Sequence, residues 1–184
     1  MSYHVPFRME PVCLQQPGRP KTFDPSRTAL AAAAYVRRTK FTVEDVSVVD
    51  FTLRGEDLLA CIPIVPEQAP GWVSSPFLRW HKADQASDWS GDHADVRAWH
   101  VVGYLPPGAS AGEWLDGTSA IFRAHLPREV CADVALHCPS LKPAHMHAIV
   151  ASRVIRKGGY GPRLPDLAAC LEGELQEAWL AWVQ

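Results

Sequence analysis

The residues most able to do chemistry by type and spacing lie in Arg153-Val-Ile-Arg156-Lys157-Gly158-Gly159-Tyr160-Gly161-Pro162-Arg163. Glycines let a backbone come within hydrogen-bonding distance of another chain, and their amides can form a concave anion nest. Arg153, Arg156, Lys157 and Arg163 supply positive charge on both sides of that nest, and Tyr160 offers a ring for stacking on a base. The pattern suits a single-stranded RNA backbone better than a nucleotide cofactor. A dinucleotide fingerprint needs its glycines between a strand and a following helix, whereas these follow an apparent helix, and no Gly-Lys-Ser/Thr is present. The competing explanation is a glycine that stops a helix, with incidental charge around it.

Eight histidines raise a second possibility. His137-Cys138 and His145-Met146-His147 carry four zinc-type donors, but positions i and i+2 of a helix diverge, so that pair would bind zinc only from a strand or an irregular segment. No metal and no cofactor are expected. His100, His125, His137, His145 or His147 could serve as general base for a ribose 2′-hydroxyl, which makes an endoribonuclease the alternative to a non-catalytic protein. Trp99 sits in a strand-like run and is assigned to the core. Trp72, Trp80 and Trp89 are expected to touch a partner, and a protein-interaction module without nucleic acid is the third reading.

The chain has 184 residues, 47% hydrophobic and 21% charged, which is a globular composition and enough for one domain. Its net charge of −2 hides segregation: residues 140–165 carry five basic and no acidic side chains, whereas 55–139 carry five basic and eleven acidic ones. Arg27, Arg37, Arg38 and Lys40 form a secondary basic surface. Five scattered cysteines without a CxxC pair fit reduced thiols. With no run of about 20 apolar residues and no secretory leader pattern, a soluble, cytoplasmic protein that touches no membrane is expected.

These groups need a frame. Residues 4–14 read as an edge strand, and Asp24-Pro25 caps a helix that runs through Ala29-Leu-Ala-Ala-Ala-Ala-Tyr35-Val36 to the cations at 37–40. Residues 46–53 and 58–65 read as a hairpin around Arg54-Gly-Glu-Asp57. Residues 66–95 are rich in Pro, Ser, Asp and Trp, and read as an inserted arm in an otherwise single domain covering 1–184. Strands are expected at 96–105, 119–126 and 130–137, a helix at 144–155, and a helical segment at 166–183. The order fits an α+β domain on a β-α-β-β-α-β plan with insertions.

Phe7-Arg-Met-Glu-Pro-Val-Cys-Leu14, the Pro-rich turn and the helix Phe23-Asp24 to Tyr35 resemble the start of a RAMP-superfamily CRISPR protein. The similarity is closer to the small subunit that caps the 5′ handle of guide RNA in type IV effector complexes. Arg153 to Gly161 resembles that family's late basic, glycine-rich loop. The resemblance implies a ferredoxin-like, RNA-recognition-type domain with an inserted β-rich thumb. It also implies a non-catalytic role, with guide RNA, the backbone and large subunits of an effector complex, and target DNA as expected partners. The loop residues Arg153, Arg156, Lys157, Gly158, Gly159, Tyr160 and Gly161 would hold the RNA.

Overall fold

The computed structural model describes residues 7–43 and 46–184. At its centre is a five-stranded sheet in the order β1 (Phe7–Val12), β5 (Ala98–Tyr104), β7 (His145–Ala151), β6 (Ala132–His137) and β4 (Leu58–Ile64), every neighbouring pair antiparallel. The protein is α+β, an arrangement compatible with the ferredoxin-like class. Successive residues of a strand point to opposite faces, so each strand serves two layers.

Phe7, Val101, Val134, Leu136, Met146 and Val150 face one layer, formed by α3 (Ala111–His125) and the C-terminal helices α4 (Leu167–Cys170) and α5 (Gln176–Val183). A π-helical turn, Leu171–Leu175, joins the last two. Gly103 is required here, because a Cβ at that position would lie 2.5 Å from the Trp179 indole nitrogen.

The opposite face, with Ala135 and Ile149, packs under α1 (Ala29–Arg37) and α2 (Pro76–Asp88). Asp133, His137 and His147 lie among those buried residues. Asp133 is neutralised there by Arg79 and Arg37 and accepts from the Trp80 indole at 2.6 Å. The first amides of α1 have no partners within their own helix. Asp84 of α2 accepts from Ala29 at 2.8 Å and from Leu30 at 3.0 Å, and Arg97 holds the carboxylate at 3.1 Å. The N-cap is Thr28 and not the expected Asp24, whose carboxylate instead accepts from the Ser26 amide.

Several local expectations are corrected. Residues 46–53 and 58–65 do not pair: β3 (Val46–Asp50) pairs with β2 (Lys40–Val43), and β4 pairs with β6. Asp50 accepts from both the amide and hydroxyl of Thr52, which turns the chain into the 3₁₀ segment Thr52–Asp57. The expected arm at 66–95 contains α2, capped by Ser75 and opened by Pro76, and Trp80 is wholly buried; this stretch is helical, not a β-rich thumb. Of its three tryptophans, Trp89 is freely exposed, at 84%.

The expected strand at 119–126 belongs to α3, whose start is fixed by a Ser110/Glu113 capping box. The expected helix at 144–155 is β7 followed by β8 (Arg153–Ile155). Both faces of β7 are buried, so apolar residues occur at odd and even positions and the two-residue period is masked. The glycine-rich segment consequently turns a β8–β9 hairpin, with β9 at Tyr160–Arg163, and does not end a helix. Among the described residues no helix is long and apolar enough to cross a membrane.

Candidate functional site

Because β7 is a strand, His145 and His147 project to the same face, and the register places His137 of β6 directly opposite His145. The three rings pack with centroids 4.9 to 5.5 Å apart. A nitrogen from each lies within 4.8 Å of the others, the one such convergent group of metal-ligating side chains among the described residues. Three nitrogens around one ion at about 2.1 Å stand roughly 3.4 Å apart, so the rings would draw closer together on loading.

The outer nitrogens are tied down in the way metal-bound imidazoles require. His145 Nδ1 is 2.9 Å from the Pro143 carbonyl, which leaves Nε2 as the free nitrogen. His137 Nε2 is 2.9 Å from the Val36 carbonyl, which leaves Nδ1. His147 Nδ1 is 2.9 Å from His100 Nε2, which leaves its own Nε2. Burial pushes the His147 imidazole down to about 2 and pushes His137 down to about 4. Both are therefore neutral at physiological pH, the form that ligates a cation.

Helix α1 crosses above this group and delivers two further side chains. The ring of Tyr35 meets His147 at 89° with centroids 5.4 Å apart, and meets His100 at 89° and 6.2 Å. Arg38 has a left-handed backbone, φ 50°, that ends the helix and turns its side chain back under Tyr35. Its guanidinium lies 4.6 Å from the Tyr35 ring centroid and donates to the Tyr35 carbonyl at 2.8 Å. It is paired with Asp57 at 2.8 and 3.0 Å and reaches His137 Nδ1 at 3.0 Å. The Arg38 hydrogen bonds hold the Asp57 carboxyl below its ordinary range. Loading of His137 Nδ1 by a cation would require this guanidinium to withdraw. A cavity of about 240 Å³ opens beside Tyr35, walled by Glu10, Arg27 and His100.

The site thus joins an imidazole triad suited to a divalent cation with a tyrosine, a side chain able to attack phosphorus. No family model and no curated protein matches the chain. Its fold is similar to a solved structure. That structure is described as the molecular basis of vancomycin resistance transfer in Staphylococcus aureus, and the match has a TM-score of 0.74 at 13% identity, covering 96% of this chain and 89% of that one.

The residues singled out from sequence fall in two places. Arg27, Arg37, Arg38 and Lys40 lie on or beside α1, but they do not form a free basic surface. Arg37 is held by Asp133 at 3.2 Å, Arg38 by Asp57, Lys40 by Asp50 at 3.6 Å, and Arg27 donates to the Pro11 carbonyl at 3.3 Å. In the β8–β9 hairpin, Arg153 and Arg163 both pair with Asp95. Tyr160 is not presented for stacking. Its hydroxyl shares a 3.0 Å hydrogen bond with Cys131, and its ring meets Trp72 at 5.1 Å. Burial holds its phenol well above the ordinary value.

Gly158 accepts from Lys82 at 2.9 Å, and Trp72 donates to the carbonyls of Arg156 and Lys157 at 3.1 Å each. Gly159 accepts from the Arg156 amide, and Gly161 packs against the Arg156 side chain. Arg156 and Lys157 remain exposed without a carboxylate partner among the described residues. The sequence reading gives Tyr35 no chemical role, and it groups His137, His145 and His147 but sets the site aside because 144–155 reads as a helix. The condition stated for that pair, that it ligate from a strand, is met by β7.

Proposed function

We propose that the chain is a metal-dependent enzyme that cuts and rejoins a phosphodiester of single-stranded DNA in the cytoplasm, with Tyr35 as nucleophile. A divalent cation held by His145 Nε2, His147 Nε2 and His137 Nδ1 would draw charge from the phosphate oxygens and orient the phosphorus. The Tyr35 hydroxyl gives up its proton to solvent and its oxygen bonds to phosphorus. The bond to one deoxyribose oxygen breaks, and that oxygen takes a proton from solvent. One strand end is then an ester of Tyr35 and the other a free hydroxyl. Phenolate is a good leaving group, so attack by a hydroxyl end restores the strand and frees Tyr35.

The observation that carries this reading is Tyr35 packed 5.4 Å from His147. RNA contains its own 2′-hydroxyl nucleophile and DNA does not, so a tyrosine beside a metal-type triad favours DNA. The similarity in fold to a structure concerned with resistance transfer supports the same choice, since passing a resistance trait between cells entails passing DNA. Five unpaired cysteines fit a reducing compartment.

The test incubates end-labelled, sequence-randomised single-stranded DNA with the protein and Mn²⁺, followed by denaturing electrophoresis. A labelled band at the mass of the protein plus DNA is expected, absent with EDTA and absent for Tyr35→Phe. Strand scission by Tyr35→Phe at the wild-type rate would overturn the reading.

A second reading, the non-catalytic subunit that holds guide RNA beside other effector-complex subunits, is favoured by the exposed pair Arg156 and Lys157. It expects salt-sensitive binding of repeat RNA, with the RNA left uncut, and no covalent adduct with DNA.

A further inference from the structure

A fourth imidazole adjoins the triad. His100 stands on β5, opposite Glu10 of β1 in the sheet register, and its Nε2 lies 2.9 Å from His147 Nδ1. The two rings are within 8° of parallel with centroids 5.1 Å apart. A nitrogen separation of 2.9 Å at that spacing describes rings meeting edge to edge through a hydrogen bond, not face to face. On the far side, Glu10 Oε1 is 3.6 Å from His100 Nδ1. Its carboxyl is held below the ordinary range chiefly by His100, so a negative charge stands behind the ring.

We propose that Glu10 and His100 are a positioning dyad that fixes which nitrogen of His147 is free for a cation, an inference that rests on the metal reading above. A neutral imidazole carries one N–H. The Glu10 carboxylate draws that hydrogen to His100 Nδ1, so His100 Nε2 presents a lone pair. His147 must then donate from Nδ1, and its Nε2 is left bare toward His137 and His145. The opposite polarity would put the hydrogen on His147 Nε2 and block coordination. Carboxylate and carbonyl groups play this part behind metal-bound imidazoles generally. Here an imidazole is interposed between carboxylate and ligand.

Long-range ¹H–¹⁵N correlation of metal-free, ¹⁵N-labelled protein at neutral pH reads the tautomer directly. His147 is expected as the Nδ1–H form, and the Nε2–H form would overturn the dyad. Titration with Mn²⁺ gives the second readout. His100→Leu, which cannot accept the hydrogen bond, is expected to lose about 10- to 100-fold in affinity. His100→Gln, whose amide oxygen can accept it, is expected to recover most of that loss. Wild-type affinity in His100→Leu would overturn the dyad and leave the metal centre standing. Absence of Mn²⁺ binding by a wild-type protein with the Nδ1–H tautomer would instead sink the metal reading. Glu10 is exposed, so Glu10→Ala keeps the test open should His100→Leu not fold; an unchanged tautomer in Glu10→Ala would then count against the dyad.

Discussion

The rings of Tyr35 and His147 meet at 89° with centroids 5.4 Å apart, one carried by the first helix and the other by an interior strand of the sheet. The helix is brought to that place by polar contacts as well as packing. Val36 supplies the carbonyl for His137, and Arg38 ties the helix end to both His137 and Asp57. The tyrosine and the imidazole triad are therefore held against one another, and each can be altered without the other.

Tyr35→Phe is expected to abolish the covalent DNA adduct and to slow strand cutting by at least about 10³-fold, because the nucleophile is lost while the electrostatics remain. Mn²⁺ affinity should stay at the wild-type value in calorimetry. A parallel loss of metal binding would mean that the hydroxyl supports the triad, and the lost adduct would then no longer count as loss of a nucleophile.

His147 and His137 titrate at about 2 and about 4 in the folded chain, below the ordinary imidazole value near 6.5. The folded state binds fewer protons than the unfolded one, so the stability tied to these groups is fully present above about pH 6.5 and falls with the pH below it. Each contributes a loss of up to about 1.4 kcal/mol per pH unit in the window above its folded value. Urea midpoints should decline from pH 7 to pH 5, and His147→Asn should flatten the slope. Equal slopes in the two proteins would contradict the burial of a neutral His147.

Much of this arrangement is legible in the sequence where local chemistry is strong. The alanine-rich run at 29–36 is a helix, residues 7–12, 98–104 and 132–137 are strands, and Trp99 packs against the core. Legibility fails where burial is two-sided. Met146, Ala148 and Val150 face one layer while Ile149 and Ala151 face the other, so β7 shows no polar alternation and mimics a helix. The error mattered because it separated His145 from His147. Residues 66–95 mislead for a different reason. Their polar side chains are consumed internally, as Arg79 with Asp133 and Asp84 with the first amides of α1 show, and a polar composition there reports buried ion pairs rather than exposure.

Asp84→Ala is expected to destabilise the protein by about 3 kcal/mol, since it removes two acceptors from the start of α1 and strips Arg97 of its buried partner. Asp84→Asn should recover part of this, because an amide oxygen can accept one of the two helix N–H groups. Thermal melts of the three proteins check the order. Because α1 also carries Tyr35, loosened proteins should lose adduct formation at temperatures below their melting point.

Arg156 and Lys157 are the exposed cations of the β8–β9 hairpin without a carboxylate partner among the described residues, and their backbone carbonyls are fixed by Trp72. Fixed side-chain origins limit the conformational entropy lost when the pair grips a phosphate backbone. Each phosphate contact to a single strand contributes about 0.7 to the slope of log affinity against log salt, so Arg156→Ala with Lys157→Ala should flatten that slope by about 1.4. Fluorescence anisotropy with unstructured DNA and with repeat RNA, both in EDTA, measures it. Flattening with DNA would join the hairpin to the tyrosine site as part of one strand path, while flattening confined to RNA would favour the guide-holding subunit. An unchanged slope with both would leave the hairpin without a nucleic-acid role and remove the one observation that favours the RNA reading.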